Sequence, residues 1–216
     1  MELPIFPLNT VLFPGAAIPL HIFEERYKQM IALCLTKDRP FGLVLIRRGS
    51  EVGGTAEPFE VGTTAHIARV ERLAEGRMNL LCWGGRRFRI VHTVGYEPYL
   101  VAEVEMLSSP AEDVAQLGEL AETVGALFAE YTRLYLAMSN QWARTIEMPS
   151  RPDALADFIA SRLTVSLWTK QRLLEELSTR RRLEEEMDLL GDAIRELAPR
   201  VEAGRSARWR GFGAMS

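Results

Sequence analysis

Leu3-Pro4-Ile5-Phe6-Pro7-Leu8-Asn9-Thr10-Val11-Leu12-Phe13-Pro14-Gly15, followed after two alanines by Ile18-Pro19-Leu20-His21-Ile22-Phe23-Glu24-Glu25-Arg26-Tyr27, decides how this chain is read. Proline lacks the amide donor, so an apolar run interrupted by Pro4 and Pro7 is expected as an edge strand or an extended lead-in. Asn9-Thr10 turns the chain, and residues 11–13 and 17–20 continue an extended path around Pro14-Gly15. Over residues 24–37 the apolar period becomes helical, with Phe23, Tyr27, Met30, Ile31 and Cys34 on one face.

Working outward, residues 41–46 form a continuous apolar run, expected as a strand buried on both faces, and residues 49–58 a polar, glycine-rich loop. Residues 64–73 alternate imperfectly, as a bulged strand does; Ala74-Glu75-Gly76 is a hairpin turn and residues 78–83 return. Phe88 and Ile90 alternate with Arg87, Arg89 and Val91, and Val101, Val104 and Leu107 face away from Glu103 and Glu105. About six short strands with one early helix predict a small, strongly bent β-sheet or pseudo-barrel over residues 1–109.

The pattern changes at Ser108-Ser109-Pro110. Val114, Leu117, Ala121, Val124, Phe128, Tyr131, Tyr135 and Met138 follow at alternating three- and four-residue spacing, one stripe of a long helix. Ser150 and Pro152 open a helix near residues 153–163, Ser166 starts another, and Ser178 or Thr179 caps the last. That last helix carries Leu183, Met187, Leu190, Ile194, Leu197 and Val201, with Pro199 and Gly204 at its expected end. Arg180-Arg181-Arg182 and Glu184-Glu185-Glu186 read as a solvated face with local ion pairs. The predicted class is α+β: the bent sheet, then an α-helical bundle over residues 110–203 and a disordered tail over 204–216.

The chemistry is bounded by what is missing. The three lysines, Lys28, Lys37 and Lys170, precede Gln29, Asp38 and Gln171, so no Gly-Lys-Ser/Thr phosphate loop exists. Ser50 misses the Gly-x-Ser-x-Gly spacing of a nucleophile elbow and reads as a turn residue. His21, His66 and His92 form no metal-ligand pair spacing, and Cys34 and Cys82 read as two buried free thiols. No catalytic residue, cofactor or metal is expected. A formal charge of −3 argues against nucleic acid as a partner. No stretch approaches the roughly 20 apolar residues of a membrane span, and no signal peptide is visible, so a cytoplasmic protein is expected.

The opening quoted above resembles the start of the substrate-binding domain of Lon-type proteases. So do Phe41-Gly42, Val61-Gly62-Thr63, Glu75-Gly76-Arg77, Arg87-Phe88-Arg89-Ile90, Leu155-Ala156-Asp157-Phe158-Ile159-Ala160 and Lys170-Gln171-Arg172-Leu173-Leu174-Glu175, in order over residues 1 to about 200. The resemblance implies a PUA-like bent sheet joined to helices, here expected as a stand-alone recognition part without the ATPase and protease domains. It implies a module that binds unfolded or exposed apolar polypeptide segments, alone or as an adaptor to a protease or chaperone. The same domain recruits substrates in ubiquitin-ligase components, which points to binding rather than chemistry.

The residues expected to meet a client are Phe13, Pro14, Pro19 and Leu20 as an apolar ledge, beside Glu24, Glu25, Arg26 and Tyr27 at the helix start. The plainer alternatives are core packing for Phe13 and a solvated helix start for Glu24–Arg26. Trp83, Arg86, Arg87 and Arg89 pattern either as an aromatic-basic surface, the basis of an alternative RNA-binding reading, or as a hairpin with snorkelling arginines.

Overall fold

The structure, a computed structural model, describes residues 1–51, 56–138, 141 and 146–213, with residues 114, 115 and 204–213 given as backbone alone. Among the described residues, six strands and five α-helices run in the order β1 (Glu2–Leu8), β2 (Ala17–Ile22), α1 (Glu25–Thr36), β3 (Phe41–Arg48), β4 (Glu57–Arg72), β5 (Met78–Gly95), β6 (Val101–Met106), α2 (Val114–Met138), α3 (Pro152–Arg162), α4 (Leu167–Glu175) and α5 (Thr179–Gly213). The chain is α+β. It forms two compact units, one of residues 1–110 and 160–177, the other of residues 111–159 and 178–216.

In the first unit the strands form one mixed sheet in the order β2-β5-β4-β3-β1-β6. Because β5 also pairs with β6, strands β5, β4, β3, β1 and β6 follow one another in a ring, with β2 outside it. The two apolar stretches expected around residues 78–83 and 88–92 are one strand of 18 residues. Its first half pairs with β2 and its second with β6. Gly84 stands where the two halves meet; a Cβ there would lie 2.1 Å from the Phe13 carbonyl oxygen, so only glycine lets that segment cross.

The position of β1 corrects the edge-strand expectation. It lies between β3 and β6, and residues Leu3–Leu8 are buried. Its pairing explains how two prolines fit inside a sheet. Ile5 donates to the Leu100 carbonyl at 2.8 Å, on the β6 side. By alternation Pro7 faces the same way, past the β6 ladder, which covers Glu2–Pro4; Pro4 faces β3, whose ladder begins only at Ile5. Each missing amide falls beyond the end of a ladder.

One core layer gathers Phe6, Leu12, Tyr27, Met30, Ile31, Phe41 and Leu80 between α1 and the sheet. A second gathers Leu3, Ile5, Val44, Phe88 and Val104. β3 is buried through Ile46, as its unbroken apolar run requires, and β4 carries register shifts at residues 63–65 and 67–69, the expected bulge. Residues 52–55 of the expected 49–58 loop lie outside the described residues.

Residues 160–177 belong with the sheet, where the sequence pattern assigns them to the helical half. Gln171 donates to the Val61 carbonyl at 3.0 Å and Arg87 to the Leu174 carbonyl at 2.9 Å, so α4 satisfies main-chain and charged groups of this unit. In the second unit α2 and α5 pack together. The α2 stripe is buried at Leu117, Ala121, Val124, Phe128 and Tyr131 but continues through Leu134; Tyr135 and Met138 are exposed. Val114's side chain lies outside the described residues. The Arg/Glu face of α5 is also corrected: Arg182 and Glu186 are buried. The helix runs through Pro199 and Gly204 to Gly213, further than the residue-204 end expected, since one proline removes one amide and glycine is only a weak breaker.

Candidate functional site

A cleft of about 450 Å³ opens along β2. Residues 18–23 line it in succession, together with Phe6, Leu8, Asn9, Thr10, Glu24, Tyr27 and Glu51. The sequence makes this wall in a simple way. β2 alternates half-buried Ile18 and Leu20 with exposed Ala17, Pro19 and His21, and its inward side chains pack on the core. The strand ends at Ile22, and the helix α1 begins only at Glu25, which leaves Phe23 and Glu24 on the rim.

Tyr27 stands between aromatic and charged neighbours. Its ring centroid lies 4.0 Å from that of Phe6, and the Arg26 guanidinium sits over the Tyr27 ring, 4.5 Å from its centroid. Glu24 holds that guanidinium at 2.9 Å. Burial pushes the Tyr27 phenol up; Arg26 pulls it down, and Glu24 and Glu51 push it further up. Glu51 accepts from the Asn9 side chain at 3.1 Å, tying the strand-end turn to the cleft. Tyr27 and Glu51 also border a second cleft of about 420 Å³ that contains Arg26, Tyr96 and Pro98.

Of the residues expected from the sequence, Pro19, Leu20, Glu24 and Tyr27 line the first cleft together and Arg26 lines the second. Phe13 corrects the expectation: it is 0% exposed and belongs to the core, so the plainer alternative holds for it. Pro14 is half-buried and outside both clefts. Glu25 faces solvent and pairs with Lys28 at 2.7 Å, which also donates to the Glu75 carbonyl and so fastens α1 to the hairpin turn. Phe23 was expected on the buried helix face; it is 47% exposed, stacked 5.9 Å from His21, and part of the cleft. Its position before a Glu-Glu helix start was the available signal, because a residue preceding the first turn need not follow the helical period. Glu51 had none, since it reaches Asn9 across 42 residues of chain.

The aromatic-basic grouping dissolves at its centre. Arg87 is buried and bound to the Leu174 carbonyl, while Trp83, Arg86 and Arg89 are exposed. Among the described residues no three His, Cys, Asp or Glu side chains gather as a metal set, and no helix is long and apolar enough to cross a membrane.

The cleft beside β2 thus sets Phe6, Leu8, Ile18, Leu20 and Phe23 next to Asn9, Thr10, His21, Glu24 and Glu51. The chain belongs to the family of the ATP-dependent protease La (LON) substrate-binding domain, whose model matches residues 2–192. It is 33% identical over 190 residues to a Lon protease of Syntrophus aciditrophicus (strain SB), covering 85% of this chain and 24% of that protein. With a Lon protease of Escherichia coli (strain K12) it shares 28% over 196 residues, 90% of this chain and 25% of that one. It thus spans about a quarter of the length of these curated relatives. Among solved structures it is similar to a Lon N-terminal domain protein from Xanthomonas campestris, at TM-score 0.64 and 27% identity over 86% of this chain and 96% of that one. The N-terminal domain of Mycobacterium avium complex Lon protease shares the fold, at TM-score 0.60 and 23% identity over 89% and 99% of the two chains.

Proposed function

We propose that this chain is a non-enzymatic, cytoplasmic polypeptide-binding module that recognises exposed apolar segments of unfolded clients and presents them to a protease or chaperone. The observation that carries this reading is the cleft along β2 in a chain of the Lon substrate-binding family. Ile18, Leu20, Phe23, Phe6 and Leu8 offer apolar contact, and Glu24 and Glu51 form a polar rim, the usual division of labour in a protein interface. An unfolded client loses conformational entropy on docking, so affinity is expected near the micromolar range, about 8 kcal/mol.

The test is titration of fluorescently labelled, unfolded casein against wild type, Phe23→Ala and the Glu24→Ala/Arg26→Ala pair, with folding verified by circular dichroism. Phe23 is half-exposed, so its truncation should weaken binding at least about fivefold while leaving the fold intact. Equal affinity for all three proteins moves the site away from the cleft. Absence of binding by wild type, or turnover of casein or ATP that a single substitution abolishes, removes the reading.

A further inference from the structure

The strand β2 has one neighbour, β5, and its other edge ends the sheet. Gly84 donates to the Ala16 carbonyl at 2.8 Å, and this sets the alternation that follows. The main-chain groups of Ile18, Leu20 and Ile22 face β5; those of Ala17, Pro19 and His21 face away. The outward row therefore offers the amides of Ala17 and His21 and three carbonyls, and it meets no backbone partner among the described residues. That same edge is a wall of the cleft. Successive residues of a strand point to opposite faces, so a cavity lined by 18 through 23 in turn runs along the strand's edge.

We propose that the client enters as an added strand: an extended polypeptide pairs with the outward row of β2 and sets every second side chain into the cleft. This rests on the polypeptide-binding reading above and specifies its geometry. The intervening side chains fall on the opposite face, where Ala17 and Pro19 stand opposite Trp83 and Leu81, both exposed and apolar. Charge selects the client. The cleft lining holds two carboxylates and no lysine or arginine; Glu24 is already paired with Arg26, so Glu51 is the carboxylate that favours an apolar segment next to a basic residue. Pro19 argues against a second copy of the chain as occupant, because two β2 edges would each bring the same missing amide to the pairing.

The test uses the whole chain and a fluorescein-labelled decapeptide of two lysines followed by alternating valine and serine. Two further versions carry N-methyl groups on the valine amides or on the serine amides. A strand pairs through amides of one parity only, so one methylated peptide should bind at least about tenfold more weakly and the other within about twofold of the parent. An equal response of the two methylated peptides, or binding of unfolded casein without binding of the parent peptide, overturns strand addition and leaves polypeptide binding standing. Failure of both the parent peptide and casein removes both. His21→Pro, at an edge that already carries Pro19, should weaken the parent peptide and spare the fold. A concentration-dependent dimer in sedimentation that Leu20→Asp dissolves would give the edge to a second copy and overturn the proposal.

Discussion

Burial pushes the Cys82 thiol up to about 12, and the charge of Cys34 adds to the shift; burial raises Cys34 as well, against the opposing pull of Arg39. Both thiols stay protonated at neutral pH, and a protonated thiol is a poor nucleophile. A thiol reagent at pH 8 should therefore leave the folded protein unmodified and label both cysteines promptly in denaturant; rapid labelling of native protein would show the layer under α1 to be open. Arg182, a buried arginine, donates to Asp157 at 3.2 Å and to Thr179 at 3.3 Å. Its side chain is 1% exposed and that of Asp157 8%, so water does little to screen the pair. Arg182→Ala should cost about 3–5 kcal/mol in urea unfolding, because it removes the buried guanidinium from which Asp157 accepts. Arg182→Met with Asp157→Leu should recover most of that loss. The run of three arginines read as solvent-facing because sequence shows the period of a charge but not the carboxylate waiting across the fold.

At the scale of the element, α5 begins with Thr179 and three arginines, a poor start beside the positive end of a helix. Ser178 supplies the expected cap, accepting from the Arg181 amide at 3.2 Å. Glu112, 66 residues earlier, completes it by accepting from the Ser178 hydroxyl at 2.7 Å and from the amides of Thr179 at 2.8 Å and Arg180 at 3.1 Å. Burial raises the Glu112 carboxyl, but the hydrogen bonds from Ser178, Arg180 and Thr179 together outweigh it and hold the group below its ordinary 4.5. A depressed carboxyl stabilises the folded state above its unfolded value, and that stability is lost as pH falls through the folded value. Glu112→Ala should thus cost about 1 kcal/mol at pH 7. The gap between variant and wild type should close as the pH is lowered past 4.5, measured by denaturant unfolding across a pH series. A pH-independent gap would assign the loss to packing.

At the scale of the molecule, the sheet unit is completed by a segment that follows the first helices in the chain. Gln171, Leu174 and Trp168 supply it with a donor, an acceptor and an aromatic edge, the last 5.1 Å from Phe59. Residues 1–110 expressed alone should therefore melt more than about 5 °C below the sheet transition of the whole chain, because the Arg87–Leu174 and Gln171–Val61 hydrogen bonds are lost. A fragment as stable as the whole would show that α4 contributes nothing to the sheet.

The order of strands and helices, the buried β3, the bulge in β4, the burial of both cysteines and the acidic start of α1 followed from periodicity and from the prolines, because these are properties of neighbouring residues. Membership in the Lon substrate-binding family was likewise written in the opening 27 residues and the motifs after them. Tertiary pairing alone decided the rest. It placed β1 inside the sheet by letting each proline miss a ladder, made β5 one strand by giving its halves different partners, and sent Phe13 into the core across Gly84. It also drew Glu51 to Asn9 and Glu112 to the start of α5. Local pattern states which face of a segment is apolar; which strand, carbonyl or carboxylate meets that segment is fixed only when distant parts of the chain close on one another.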